Sequence, residues 1–236
     1  MNYVQALGIP MDKPQIVTII GSGGKTTIIE EMADQLYQNG KRVLITTSTH
    51  IFLPKSSNAI TILDPTLLKE LKSPYPIMVY AGSSINPLDK LNPLDPSCIE
   101  FLHTNGHFDF ILIEGDGSRR LPLKAYASYE PVVPPSTHIL IAVMGLNALG
   151  KPVQDCVHRA SLFSTITGKA SSDQVDWTDF ERLILSPDGY FKSRAPRNFL
   201  ILNRYRPEMS ADIGLLTHSL RRKAPFLESV LIREEL

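Results

Sequence analysis

Residues 19–28, IIGSGGKTTI, put three glycines, a lysine and two threonines where a strand would give way to a helix. Gly21, Gly23 and Gly24 permit positive φ angles and let backbone come close to a ligand. Unpaired N–H groups at a helix start favour an anion. In such a cradle Lys25 reaches β- and γ-phosphates, the Thr26 hydroxyl is placed for Mg²⁺, and Thr27 can donate to an α-phosphate, with Ser22 inside the loop. The P-loop pattern G-x-x-x-x-G-K-[ST] asks for one more glycine at position 19, which holds Ile19. The expectation is therefore a shortened G-x-x-G-K-T loop. The bland alternative is a strand-to-helix turn with no ligand.

Two further stretches carry candidate chemistry. TTSTH, residues 46–50, ends the next predicted strand, so Thr46 or Thr47 could offer a hydroxyl to Mg²⁺ or a γ-phosphate; the alternative is plain β-propensity. FILIEGDGSRRLPLKAY, residues 110–126, ends an apolar run in Glu114, with Asp116 two positions on. A carboxylate there can hold Mg²⁺ or orient an attacking water; without a ligand it is an acidic turn. Arg119, Arg120 and Lys124 could clamp phosphate or an anionic substrate, with Arg119 the candidate for charge stabilisation.

Positioning these groups requires an α/β fold. QIVTII (residues 15–20) reads as a buried strand, residues 25–39 as a helix with Ile28, Ile29, Met32, Ala33 and Leu36 on one face, and RVLITT (42–47) as a second strand, a β-α-β unit. Further strands are expected at 76–81, 108–114, 138–144, 198–203 and 229–233, and helices near 66–71, 98–105, 157–167, 177–185 and 211–223. Several strands are continuous apolar runs, as in a parallel sheet covered on both faces. The expected fold is a mostly parallel sheet flanked by helices, P-loop NTPase-like, with loop-rich insertions at the prolines of 74–96 and 122–135. Residues 1–236 are expected to form a single nucleotide-binding domain.

Lys plus Arg equals Asp plus Glu, 24 of each, which gives no reason to expect nucleic acid or a membrane as partner. The first residues lack a signal-peptide pattern, and Cys98 and Cys156 make no C-x-x-C pair, so a cytoplasmic setting is expected.

With these motifs in hand, the sequence resembles the YqeC family of selenium-dependent molybdenum hydroxylase accessory proteins. IIGSGGKTT, VLITTSTHIFLP, LIEGDGSRRLPLKAYASYEPVVPP and IAVMGLNALGKPVQDCVHRASLFSTITG carry the likeness, in order, over most of residues 16–168. The resemblance implies a nucleotide-binding protein that assists maturation of a selenium-containing cofactor, with an apo molybdenum hydroxylase or other maturation proteins as partners. It carries the phosphate loop onto Gly21, Gly24, Lys25 and Thr26, the acidic motif onto Glu114, Asp116, Gly117 and Ser118, and a His-Arg pair of no derived role onto His158 and Arg159.

LNRYR, residues 202–206, lacks the aspartate of an N-K-x-D guanine reader, because Arg206 cannot accept from guanine N1 and N2. The expected ligands are therefore Mg²⁺ and ATP rather than GTP. The leading function is a Mg²⁺–ATP-dependent NTPase or transferase in cofactor maturation. A nucleotide-gated carrier or scaffold and a small-molecule kinase or ligase-like enzyme stand as alternatives. CVH (156–158) reads as an ordinary helix start rather than a zinc site. His103 and His107 flank an Asn-Gly turn and so make no i,i+4 metal pair. Trp177 reads as a core anchor, Cys98 as a buried hydrophobe.

Overall fold

The computed structural model describes residues 1–53 and 59–234; Pro54, which closes one of the family-like stretches, lies outside them. The elements run α1 (Tyr3–Ala6), β1 (Gln15–Gly21), α2 (Lys25–Gln38), β2 (Arg42–Thr47), β3 (Ile51–Phe52), β4 (Ala59–Ile62), α3 (Pro65–Glu70), β5 (Ile77–Ala81) and β6 (Lys90–Leu91). They continue with α4 (Pro96–Thr104), β7 (Phe110–Glu114), β8 (Leu123–Lys124), β9 (Ile139–Gly145), α5 (Val153–Cys156), β10 (Val157–His158) and α6 (Ala160–Thr167). The last are α7 (Trp177–Leu185), β11 (Arg197–Tyr205), α8 (Ser210–Lys223) and β12 (Ser229–Glu234). Eight strands form a mostly parallel sheet in the order β12-β11-β9-β1-β7-β2-β5-β4. Every residue of β1, β7 and β9 is buried, which explains their unbroken apolar sequences. The chain divides into two compact units, each drawn from three segments.

The first unit comprises Met1–Ile19, Thr26–Asp116 and Val132–Ile139. Its strand pairings, β1 with β7, β7 with β2, β2 with β5 and β5 with β4, are all parallel. Alternate residues Ile111 and Ile113 of β7 join Ile16, Leu44 and Val79 in a core with Leu68 of α3 and Cys98, Ile99 and Leu102 of α4. Side chains of this size stabilise by about 1.5–3 kcal/mol each when buried. Ile28, Ile29, Met32, Ala33 and Leu36 are all fully buried, so the apolar stripe predicted for α2 is its packed face. Gly40, at φ 78°, turns the chain out of that helix. Asp64 and Asp95 cap α3 and α4 by accepting from Thr66 N and Ser97 N, each followed by a proline in the first turn, where no N–H is needed.

A pair of neighbouring, mutually tilted imidazoles lies beside β1. The Ile16 N–H donates to His138 Nδ1 at 2.9 Å, and the His103 ring lies 4.7 Å from that of His138. Burial lowers both pKa values, and the mutual proximity of the rings adds to the effect on His103. A folded-state pKa below the unfolded one means the unfolded chain binds more protons. The stabilisation is therefore fully present above the ordinary histidine value of about 6.5 and is lost as pH falls through the depressed folded values. Urea midpoints should drop between pH 7.5 and 5, and His138→Gln should flatten that dependence. A pH-independent midpoint in the native chain would refute the assignment.

The second unit comprises Ile20–Lys25, Gly117–Pro131 and Leu140–Leu236. Here β11 and β12 pair in parallel, and β8 pairs with β10 in a separate two-stranded sheet. Asp176 caps α7 through a reciprocal box with Asp179. Trp177 is only partly buried, its ring 5.9 Å from Phe180, so it flanks the core rather than anchoring it. The CVH segment also departs from expectation. Cys156 ends α5, Val157 and His158 form β10, and helix α6 begins only after Arg159, whose φ of 66° breaks the helical path.

Among the described residues, no helix is long and apolar enough to cross a membrane, and no group of three or more His, Cys, Asp and Glu could hold a metal ion.

Candidate functional site

The glycine loop is built where two strands, β9 and β11, crowd its backbone. Gly21, Gly23 and Gly24 have φ of 98°, 84° and 126°, the left-handed region that glycine tolerates. A Cβ on Gly21 would stand 2.2 Å from the Val143 carbonyl oxygen, and one on Gly23 2.6 Å from Gly145 Cα. On Gly24 it would meet Asn203 Nδ2 at 2.4 Å. Both reasons for a glycine, conformation and close approach, hold at each position. Ser22 N–H donates to Val143 O at 2.8 Å, holding the loop to β9, while the buried Ser22 hydroxyl has no hydrogen-bond partner among the described residues. Lys25 opens α2, is buried, and curls back so that Nζ donates to Gly21 O at 2.6 Å.

Asn203 is a loop-bracing residue that the sequence reading weighed only as part of a failed guanine motif. Its Nδ2 donates to Gly23 O at 2.6 Å, and its Oδ1 accepts from the Arg204 N–H at 2.9 Å and from Arg233 Nη1 at 3.0 Å. The asparagine thereby holds the backbone of the glycine loop. Arg206, the residue that replaces the guanine-reading aspartate, is paired with Glu208 at 3.3 Å.

Thr26, the residue after Lys25, donates from Oγ1 to Glu114 Oε2 at 2.9 Å. Glu114 is buried at the end of β7, in register with Ile19 of β1 and Thr47 of β2. Thr26 and Glu114, each expected from the sequence as a separate Mg²⁺ candidate, are thus in direct contact. Asp116 is fully buried two residues on. The Thr47 hydroxyl donates to the Glu114 carbonyl at 2.9 Å and accepts from Thr49 N–H at 2.9 Å, so its hydrogen bonds tie β2 to β7. Thr46 donates to Ala81 O at 2.8 Å. Thr27 is exposed on the first turn of α2.

The loop after the acidic motif is organised by a carboxylate the sequence did not single out. Lys124 is fully buried; its Nζ donates to Gly117 O at 2.7 Å and pairs with Glu130 at 3.3 Å. Arg159 clamps the same carboxylate, through Nε at 3.1 Å and Nη2 at 3.0 Å. Although burial pushes the Glu130 carboxyl up, its hydrogen bonds and charge pairing with Arg159 and Lys124 win, and its pKa lies below the ordinary value. Tyr190 connects this cluster to the glycine loop: its hydroxyl accepts from the Lys124 N–H at 3.3 Å, and its Cε1 would lie 2.8 Å from a Cβ on Gly21. Lys124 is therefore an internal brace, whereas Arg119 and Arg120 are exposed.

A family model described as YqeC protein matches residues 17–161. The chain belongs to the YqeC family. A relative from Escherichia coli (strain K12), named "Uncharacterized protein YqeC", is 36% identical over 197 residues, covering 82% of this chain and 77% of that protein. Among solved structures, the MinD cell division protein of Aquifex aeolicus superposes with a TM-score of 0.48 at 16% identity, covering 94% of this chain and 82% of that one. In this YqeC-family chain the matched segment contains the glycine loop, the Thr26–Glu114 pair and the Lys124–Glu130–Arg159 cluster.

Proposed function

We propose that this chain binds a Mg²⁺–nucleoside triphosphate, ATP in preference to GTP, on the glycine loop and the first turn of α2. Phosphoryl transfer or hydrolysis would then serve maturation of the selenium-containing cofactor of molybdenum hydroxylases. The observation that carries the nucleotide reading is the loop itself. Three glycines at positive φ are pressed against fixed backbone and Asn203, leading directly into Lys25 and Thr26 at a helix start. A bare turn needs none of this crowding. The maturation role rests on the family likeness, and the ATP preference on Arg206 standing where a guanine reader needs an acid.

Helix-start amides and the Lys25 ammonium would neutralise the phosphates, a charge-stabilising role that needs no rearrangement at the moment of reaction. Thr26 and Glu114 fit a Mg²⁺ site: the ion characteristically takes one or two protein oxygens, keeps waters and completes its shell with substrate phosphates. Bound there, the ion would supply charge neutralisation of the β- and γ-oxygens. Glu114 or Asp116 would orient the attacking group.

Calorimetry and thermal shift with ATP and GTP, each with Mg²⁺ or EDTA, test this reading. At a hundredfold excess over Kd, Mg²⁺–ATP should stabilise by about 2.7 kcal/mol, raising the melting temperature by about 5–10 °C. Glu114→Gln should weaken binding about tenfold in Mg²⁺ while leaving the EDTA value unchanged. If neither nucleotide binds, the reading fails; if Glu114→Gln retains the full Mg²⁺ effect, the carboxylate assignment fails.

A further inference from the structure

We propose that the second unit carries an anion receptor separate from the glycine loop, in which His158, Arg159 and Arg119 take the oxyanion group of a small acidic co-substrate. This rests on the nucleotide reading only for the word co-substrate; the receptor is argued from its own geometry.

The first argument is charge. Lys124, Arg159, Lys192 and Arg119 belong to this unit, and Glu130 is the carboxylate that holds two of them. Lys192 Nζ donates only to the Ala127 and Ser128 carbonyls, at 2.6 and 3.4 Å. Arg119 makes no hydrogen bond or ion pair among the described residues, and Arg159 keeps its Nη1 group clear of Glu130. Among the described residues Arg119 therefore keeps its charge unpaired, and Arg159 keeps one amino group outside its pairing with Glu130.

Geometry adds a second argument. His158 is the register partner of Lys124 in the β8–β10 pair, and Ala125 N–H donates to His158 O at 3.0 Å. Its half-buried imidazole has a lowered pKa, first through burial and then through Lys124, Arg159 and Arg119, so at neutral pH it is an uncharged ring facing cations. Such a ring can donate to an oxyanion without repelling its neighbours. Directly after it, Arg159 is the N-cap of α6 with no side-chain hydrogen bond to the first amides, which leaves that helix end with partial positive charge.

The third argument is backbone strain. Arg119, Arg120 and Arg159 have φ of 51°, 62° and 66°, a region L side chains avoid. Leu121 N–H donates to Ser118 O at 3.0 Å, closing a turn with positive φ at both central residues, where glycine or asparagine is ordinarily favoured. Arginines persisting in such a turn point to use of the side chain. A buried brace accounts for Lys124, Glu130 and half of Arg159. It gives no role to His158 or to the exposed, strained Arg119.

The test uses full-length protein carrying Lys25→Ala, which silences the glycine loop, with ¹³C-labelled histidine. The His158 signal is identified by its loss in His158→Gln. Sodium phosphate and sodium acetate are titrated separately at pH 7.5 and constant ionic strength. One of the two should shift His158 saturably while leaving the exposed His50 and His218 in place, and which of them succeeds separates a phosphate from a carboxylate. Arg119→Gln should weaken that binding about tenfold. Arg119→Gly should also lose binding, with a melting temperature no lower than the parent's because the strain is relieved. Absence of a saturable shift with either anion, or equal affinity in Arg119→Gln, overturns the receptor. Failure of the wild-type chain to bind ATP while His158 still saturates would remove the nucleotide reading and leave the receptor standing.

Discussion

Lys25→Ala should weaken Mg²⁺–ATP binding about a hundredfold while lowering the melting temperature by only about 2–4 °C. The Lys25 ammonium is buried and donates to Gly21 O at 2.6 Å, so it lies across the loop it would serve. Against phosphate oxygens a charged donor contributes about 1.5–3 kcal/mol, and the upper end corresponds to roughly a hundredfold in Kd. Within the protein the loss of the hydrogen bond to the Gly21 carbonyl costs about 1 kcal/mol, or about 2–4 °C for a chain of this size. Lys25→Arg should restore little, because a planar fork cannot follow the same path through a buried turn. Calorimetry on the three proteins decides it; undiminished affinity in the alanine variant would end the phosphate-loop assignment.

The second large effect belongs to Gly21→Ala, expected to destabilise by about 4 kcal/mol, or roughly 10 °C. A methyl group there would be 2.2 Å from the Val143 carbonyl oxygen and 2.8 Å from Tyr190 Cε1. The first obstacle is backbone of β9, and Ser22 N–H donates to the same oxygen, so retreat breaks a hydrogen bond as well. A left-handed φ of 98° adds conformational strain. Gly40→Ala is the control: its φ is 78°, but nothing lies within 4 Å of the added carbon. It should lose only about 1 kcal/mol. Equal losses at the two positions in urea unfolding would show that crowding at the loop has been overstated.

The central strands were legible because burial on both faces leaves its mark as unbroken apolar runs, and residues 15–20, 108–114 and 138–144 carry that mark. β4 escaped because an edge strand need not be apolar: Ile60 and Thr61 are exposed, and four residues give too little pattern. The segment from Val157 was misread as helix for another reason. Nothing in its composition announces that Arg159 adopts a left-handed conformation, which ends β10 and delays α6.

At the candidate site the sequence carried local chemistry well and long-range chemistry poorly. Lys25, Thr26 and Glu114 were readable because each occupies a strand or helix end set by its own segment. Asn203 lies 180 positions from Gly23, and its role as a brace emerges only from the hydrogen bond that joins them. Glu130 stood in a proline-rich stretch with nothing to distinguish it from a solvated acid, until Lys124 and Arg159 converged on it.

The lone tryptophan has a practical consequence for measuring this chain. Trp177 belongs to the second compact unit, half-shielded beside Phe180, so its emission reports the melting of that unit alone. Far-ultraviolet ellipticity, by contrast, averages over helices of both. Recording the two signals on one sample distinguishes a shared cooperative transition from sequential loss of the two units, without any labelling.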